Sequence, residues 1–274
     1  MRPREREALQ DWEQYRKATA KATTIDLFEG EEEQRARVKQ LSADFPAFAK
    51  HYFPHFTTAD FSKAQKALFR EVLRPHKGNR VLANIIHRDG AKSATAMMLL
   101  LYMMCTGRMR TMLLTSWNEA SAINLLSPFR LQLEANELLK HDFGPFQGSG
   151  SWEQGRFTTL TGCSFRALGS GQSPRGAKNE ESRPDVILVD DFDEDEQSRN
   201  KQRVANAFDW LMGALFPAMS VTGNGIMLVT GNIIAPNTVL QRVEAIADWS
   251  QRVNLLDKQG NPTWPERFTK QECR

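Results

Sequence analysis

Cysteine and long apolar segments are both scarce in this sequence. The three cysteines, Cys105, Cys163 and Cys273, lie far apart and form no CxxC pair. This excludes a disulfide framework and a zinc site and indicates a reducing compartment. The longest apolar run, AMMLLLYMMC, is too short to span a bilayer, and the charged first residues do not form a secretory signal. We therefore expect a cytosolic protein with no membrane partner.

A large excess of one charge is also absent. The chain has 36 Lys and Arg against 33 Asp and Glu, which gives a formal net charge of +3 over 274 residues. This balance permits an anionic partner without requiring one. Charges of both signs concentrate in residues 1–45, which we expect to be helices laid on the surface of a single domain formed by residues 46–274.

Four short apolar runs alternate with helical stretches along the rest of the chain. They read RVLANII, TMLLTSW, DVILVDD and GIMLVTGN. Continuous apolar runs between helices are typical of parallel strands buried on both faces, so the sequence predicts an α/β fold. Right-handed crossovers bring the carboxyl ends of such strands to one edge of the sheet. The polar clusters HRDGAKS, DDFDEDE and TGN each follow a strand and should meet at that edge.

The first cluster resembles a nucleotide-binding loop that has lost its glycines. Where the pattern G-x-x-x-x-G-K-[ST] requires glycine, the chain has Ile86 and Ala91. A turn from a strand into a helix still aims backbone N–H groups and the helix dipole at an anion. We predict that this loop binds nucleotide, with Arg88 and Lys92 at the phosphates and the Ser93 hydroxyl on Mg²⁺; the other loop residues in contact are Asp89, Gly90 and Ala91. The alternative is a plain helix start with an exposed lysine.

The second cluster supplies carboxylates. Asp190 and Asp191 follow a buried strand, where Asp190 could hold Mg²⁺ through water and Asp191 could orient or deprotonate the attacking water. The acidic residues after them, 193–196, are expected to be a solvated run near a helix N-terminus. Two carboxylates about a hundred residues after a Lys-Ser pair favour nucleotide hydrolysis.

Three weaker candidates complete the predicted site. Thr230 or Asn232, at the end of the following strand, could contact the γ-phosphate or the attacking water; the alternative is an ordinary turn. Arg175 and Lys178, in a Gly- and Pro-containing loop, could meet DNA phosphate or a neighbouring subunit's nucleotide, or simply be surface charges. Gln65 or Lys66, just upstream of the loop, is a candidate contact for the base of the nucleotide.

The order of these motifs resembles the large terminase subunit of tailed bacteriophages. The stretches that carry the resemblance are HRDGAKSA, GSGQSPRGAKNEESRPDVILVDD, LVTGN and DKQGNPTWPERFT, within about residues 45–274. It implies an additional-strand, RecA-like P-loop NTPase fold with helices on both faces, which uses ATP and Mg²⁺ to drive double-stranded viral DNA into a procapsid. It also implies a portal and a small terminase subunit as partners, a ring during packaging but a monomer in isolation, and the host cell cytoplasm as location.

Carried onto this sequence, the resemblance assigns the loop roles to Arg88, Lys92 and Ser93 and the carboxylate roles to Asp190 and Asp191. The coupling motif falls on residues 230–232. The sequence departs from the family pattern in two ways. The loop lacks the usual glycines, and Asp191 stands where many members of the family have Glu.

Other functions remain open at this stage. A helicase-like, nucleic-acid-dependent ATPase would need a second RecA-like domain, for which the chain has no room. A non-catalytic DNA- or capsid-docking module would have a loop that no longer binds nucleotide. The nuclease half of the family needs its own sheet and acidic cluster, and no stretch after residue 236 predicts them, so we expect the ATPase half only and no metal-dependent DNA cleavage.

Overall fold

A computed structural model describes residues 3–148, 150, 152–174, 183–194 and 198–273. Its strands are β1 (Arg80–Ile86), β2 (Thr111–Ser116), β3 (Arg156–Thr158), β4 (Ser164–Gly169), β5 (Val186–Asp190), β6 (Ile226–Gly231) and β7 (Trp249–Val253). Its helices are α1 (Pro3–Ala22), α2 (Glu31–Ala43), α3 (Phe45–Tyr52), α4 (Lys63–Leu73), α5 (Lys92–Cys105), α6 (Glu119–Ala135), α7 (Glu137–Phe143), α8 (Lys201–Trp210) and α9 (Val239–Glu244). A π-helical turn, Leu211–Leu215, and a 3₁₀ turn, Phe216–Ala218, follow α8.

The strands form one seven-stranded sheet in the order β3-β4-β2-β5-β6-β1-β7. All neighbouring pairs are parallel except β3 with β4, which are antiparallel. Strand β6 lies between β1, which precedes the Lys-Ser loop, and β5, which carries the carboxylates. Strand β6 is therefore an additional strand between the two halves of the predicted site, and the predicted α/β fold with a mainly parallel sheet is confirmed.

Both faces of the sheet are covered, which explains the continuous apolar runs in its central strands. In β1, Leu82 faces a core formed with α3, α4, α5 and α6, while the next residue, Ala83, faces a second core formed with α8, the π-helical turn and α9. Both side chains are 0% exposed. The sheet edge that carries the ends of β1, β5 and β6 lies between these two layers.

One strand lies beyond residue 236, where the sequence predicts none for a nuclease sheet. It is β7, with the sequence WSQRV, and it pairs in parallel with β1. It therefore extends the same sheet and does not begin a second one.

The N-terminal helices pack against α6 and α7. Trp12 of α1 lies under the Arg130 guanidinium at 5.1 Å, and the Thr23 hydroxyl accepts a hydrogen bond of 3.1 Å from the Glu137 backbone N–H. The predicted boundary near residue 45 falls between α2 and α3. Whether α1 and α2 form a separate functional segment stays a prediction.

Helix α2 is fixed by a partly buried ion cluster, defined here as Arg37, Glu29, Asp142, Tyr52 and Gln34. Arg37 donates to Glu29 at 2.5 Å and to Asp142 at 2.6 Å. Asp142 also accepts hydrogen bonds from the Tyr52 hydroxyl at 2.6 Å and from Gln34 at 2.9 Å. The ion cluster joins α2 to α3 and α7.

No helix in the described ranges is both long and apolar enough to cross a lipid bilayer.

Candidate nucleotide-binding site

The loop between β1 and α5 keeps a glycine-type backbone without the expected glycines. Asp89 and Ala91 have φ angles of 65° and 52°, in the left-handed region that disfavours a Cβ by about 1–2 kcal/mol per residue. Ala91 is the N-cap of α5 and makes no side-chain cap. A Cβ added to Gly90 would lie 2.2 Å from Cγ2 of Ile86, so this one glycine is required by the turn. The loop thus presents the uncapped N-terminus of α5 at the carboxyl edge of the sheet.

Lys92 and the carboxylate pair meet at this edge, as the sequence predicts. The Lys92 Nζ lies 3.1 Å from Oδ1 of Asp191, and the lysine side chain is only 14% exposed. Asp191 has a φ of 45°, and its backbone carbonyl accepts a hydrogen bond of 3.0 Å from the Ser116 hydroxyl. The last residue of β2 therefore helps to set the turn that carries Asp191.

Asp190 has the chemistry of a cation ligand. Its side chain is buried, with the residue 1% exposed, and among the described residues its Oδ1 has no hydrogen-bond partner. Burial raises the pKa of Asp190 to about 6; the Ser93 hydroxyl and Lys92 act against this rise, and the Asp191 carboxylate adds to it. Mg²⁺ prefers carboxylate, hydroxyl and water oxygens, so Asp190 and Ser93 together fit such an ion.

Asn84, which the sequence analysis did not single out, organises the strand ends next to this site. Its Nδ2 donates to the Thr230 hydroxyl at 3.3 Å, and that hydroxyl donates to the Asn84 backbone carbonyl at 3.2 Å. Gln251 of β7 donates to Oδ1 of Asn84 at 2.6 Å. The available signal was a lone amide inside the apolar run RVLANII.

Thr230 and Asn232 take different positions. Thr230 is 1% exposed and its hydroxyl is engaged with Asn84, whereas Asn232 is half-buried in a recess that also contains Asp191 and Gly231. Of the two predicted phosphate contacts, Asn232 is the more accessible side chain. Their roles toward a nucleotide stay predictions.

Asp193 differs from the expected solvated acid. Its Oδ1 accepts from the Val239 backbone N–H at 2.7 Å and its Oδ2 from that of Leu240 at 3.0 Å. Burial raises the pKa of Asp193, and the two N–H groups act against this rise. The carboxylate caps the N-terminus of α9 from another segment and so ties the turn after β5 to the segment that follows β6.

Gln65 is buried, and both ends of its amide are used within the protein. Its Oε1 accepts from the Ser62 backbone N–H at 2.8 Å in the capping box of α4, and its Nε2 donates to the Thr95 hydroxyl at 3.0 Å. The residue is 2% exposed, so a direct contact with a base would require these bonds to break. The structure instead makes Gln65 a link between α4 and the second turn of α5.

The remaining predicted residues lie at the surface or outside the described ranges. Arg88 and Asp89 are exposed at the tip of the loop. Arg175 and Lys178 belong to residues 175–182, which the structure does not describe, and their roles stay predictions.

Comparisons with known proteins concern the fold. No protein-family model matches the sequence, and no curated protein matches it. The chain is similar to the ATPase domain of the large terminase of Thermus phage P74-26, with 14% identity and a TM-score of 0.47 over 80% of this chain and 88% of that one. A single-residue variant of that domain gives 12% identity, the same TM-score and the same coverage. The likeness predicted from the order of motifs is thus found among solved structures.

Proposed function

We propose that this chain is a Mg²⁺-dependent ATPase that drives double-stranded DNA into a viral procapsid. The observation that carries the ATPase part is the meeting of Lys92 with Asp191, 3.1 Å apart, beside a buried carboxylate oxygen of Asp190 that has no partner in the described chain. A cation at the N-terminus of a helix and two carboxylates opposite it are what a metal-bound triphosphate requires.

Each residue has a distinct task in this proposal. When the triphosphate binds, the Lys92 ammonium exchanges its bond with Asp191 for phosphate oxygens, which leaves the Asp191 carboxylate free to orient water and accept its proton. Ser93 and Asp190 would hold Mg²⁺, whose charge would offset that of the β- and γ-phosphates. Arg88, exposed on the loop, would lie alongside the γ-phosphate and stabilise charge during its transfer to water.

Replacing Lys92 tests the ATPase part. We expect Lys92→Ala to abolish phosphate release from ATP, because Lys92 is the cation that the first turn of α5 supplies in the described chain. Thermal unfolding should show that the variant is folded. The matched control is Lys201→Ala, which removes an exposed lysine at the start of α8. Turnover by Lys92→Ala equal to that of the control would exclude this site.

The DNA part is supported by a basic groove, defined here by Lys66, Arg70, Arg74 and Arg108 above a floor of aromatic side chains. The groove has a volume of about 680 Å³. Lys66 and Arg70 of α4 and Arg74 at its C-cap are exposed. They follow each other at four-residue spacing, which within the helix is a rise of about 6 Å per step. Arg74 pairs with Glu71 at 2.8 Å, but among described residues no carboxylate lies within ion-pair distance of Lys66, Arg70 or Arg108. A row of exposed cations of which Lys66 and Arg70 have no ion pair in the described chain suits the phosphates of a nucleic acid strand.

Charge reversal in the basic groove tests the DNA part. We expect Lys66→Glu/Arg70→Glu to weaken binding to double-stranded DNA regardless of its sequence, and to lower the slope of log affinity against log salt by about two. A control of equal charge change outside the groove is Lys39→Glu/Lys201→Glu. Equal loss in both double variants would mean that only net charge matters.

Calorimetry with an ATP analogue and Mg²⁺ tests the alternative of a non-catalytic docking module. No binding of the analogue, with DNA binding retained, would favour that module. Ring formation and contacts with a portal and a small terminase subunit stay predictions from the family resemblance.

A further inference from the structure

A row of polar side chains crosses four neighbouring strands of the sheet. Asp190 of β5 is in register with Thr230 of β6, Thr230 with Asn84 of β1, and Asn84 with Gln251 of β7. In-register residues of parallel strands point to the same face, here the face covered by α4 and α5. The first three residues are each 1% exposed, so the row is buried inside an otherwise apolar layer.

The last hydrogen bond of this row, the one that Thr230 donates, points away from Asp190. Gln251 Nε2 donates to Oδ1 of Asn84 at 2.6 Å and to the Ala64 carbonyl at 3.1 Å, which fixes the orientation of the Asn84 amide. The amide nitrogen of Asn84 therefore faces Thr230 and donates to its hydroxyl. The Thr230 hydroxyl in turn donates its proton to the backbone carbonyl of Asn84, which lies on the β1 side of the threonine.

Without this arrangement the Thr230 hydroxyl would have a better acceptor on its other side. Neighbouring strands lie about 4.8 Å apart, and Asp190 has a buried oxygen without a partner in the described chain. A hydrogen bond from a hydroxyl to a carboxylate is stronger than one to a neutral carbonyl. A Thr230 hydroxyl turned toward β5 would therefore compete with a cation for that oxygen.

We propose that Asn84 is a positioning residue that keeps Oδ1 of Asp190 available to a divalent cation by holding the Thr230 hydroxyl against β1. The inference rests on the proposed function, which supplies the cation site. It goes further by giving the buried Asn84 amide of β1 a role at that site. An alternative, purely structural role for Asn84 would affect stability and leave cation affinity of the folded protein unchanged.

A double-mutant cycle separates these roles. The readout is Mn²⁺ binding to the whole chain by electron paramagnetic resonance, alone and with a non-hydrolysable ATP analogue. We expect Asn84→Leu to weaken Mn²⁺ binding about tenfold, because Thr230 loses the amide donor that holds its oxygen on the β1 side and its hydroxyl can then compete with the cation for the carboxylate. In the Thr230→Val background the same Asn84→Leu change should alter affinity by less than about twofold, since no hydroxyl is left to compete.

Two further variants keep the test decisive. Gln251→Leu, on the edge strand, removes the bond that orients the Asn84 amide and should weaken Mn²⁺ binding in the same direction but less, which serves if Asn84→Leu does not fold. Leu228→Ala, on the same face of β6, should lower stability without changing Mn²⁺ affinity. Equal Mn²⁺ affinity in the wild type, Asn84→Leu and Gln251→Leu would overturn the inference, and so would an equal effect of Asn84→Leu in both Thr230 backgrounds.

The outcome also distinguishes this inference from the proposed function. If the wild type binds Mn²⁺ and the ATP analogue, and Lys92→Ala loses the analogue, the site stands and only the role of Asn84 is in question. If the wild type binds no Mn²⁺ under either condition, the cation site and the inference fail together.

Discussion

Two buried aspartates of this chain, Asp142 and Asp190, have opposite surroundings. The Asp142 side chain is 0% exposed and accepts hydrogen bonds from Arg37, Tyr52 and Gln34. Burial alone would raise its pKa, but these donors outweigh burial and hold the pKa of Asp142 well below its usual range. The Asp190 residue is 1% exposed, yet one of its oxygens has no partner in the described chain, and burial raises its pKa to about 6.

The difference shows where the chain uses a carboxylate for stability and where it keeps one for binding. A buried charge with all its partners present holds segments together, whereas a buried charge that lacks a partner destabilises the fold and persists where a ligand can supply what is missing. Burial by itself therefore does not distinguish a carboxylate used for stability from one kept for binding. The number of hydrogen-bond donors around the carboxylate does distinguish them.

The largest expected effect is on activity at Asp190. We expect Asp190→Asn to reduce ATP turnover by roughly 10³-fold, because the site loses the charge that faces the cation. Its free energy of unfolding in metal-free buffer at pH 7 should not fall, since the change removes an unpaired buried charge. Urea denaturation and phosphate release measure the two quantities, and a clear loss of stability would show that Asp190 has partners that support the fold.

The next effect is on stability at Asp142. We expect Asp142→Asn to lower the free energy of unfolding by about 3 kcal/mol, because Arg37 loses one of its two carboxylate partners in a buried position. Turnover per folded molecule should stay within twofold of the wild type, as the ion cluster does not touch the site. A specific loss of turnover at temperatures where the variant is folded would contradict the comparison.

The stability difference between the wild type and Asp142→Asn should depend on pH, because the pKa of Asp142 is lowered in the folded protein. In the unfolded chain this carboxyl titrates near its ordinary value of 3.8, and in the folded chain it stays ionised to lower pH. Its contribution to stability is therefore complete above the unfolded pKa and is lost as pH falls below it. The difference in unfolding free energy between the wild type and Asp142→Asn should be constant from pH 7 to about 5 and shrink in more acidic urea titrations.

The smallest effect concerns a single donor. We expect Tyr52→Phe to lower the free energy of unfolding by about 1 kcal/mol, because Asp142 loses one neutral donor and keeps Arg37. Tyr102→Phe is a control in which a buried hydroxyl bonded to the Ser42 carbonyl is removed. A loss at Tyr52 as large as that at Asp142 would mean that the ion cluster cannot tolerate any missing partner.

The sequence allowed the central strands to be predicted because β1, β2, β5 and β6 are apolar on both faces. Strand β7 escaped prediction because WSQRV alternates and lies at an edge, where one-sided burial leaves no continuous run. The meeting of Lys92 with Asp191 followed from the rule that parallel strands end at one edge.

Other features of the site depend on distant partners. The bonds of Asn84 depend on the register of three strands, which no local pattern contains. Asp193 reads as one member of an acidic run, and only the fold places two free N–H groups of α9 against it. The left-handed backbone of Ala91 is equally invisible, since alanine does not favour it.

The insertion of β6 between β1 and β5 has a consequence for the length of the residue at position 92. The two strands that supply the halves of the site are not neighbours, so their axes are separated by about twice the interstrand spacing, or roughly 10 Å. The four-carbon stem of a lysine reaches across much of this interval and brings its nitrogen to Asp191. A shorter cationic side chain on α5 would leave the two halves out of touch, however well each was formed.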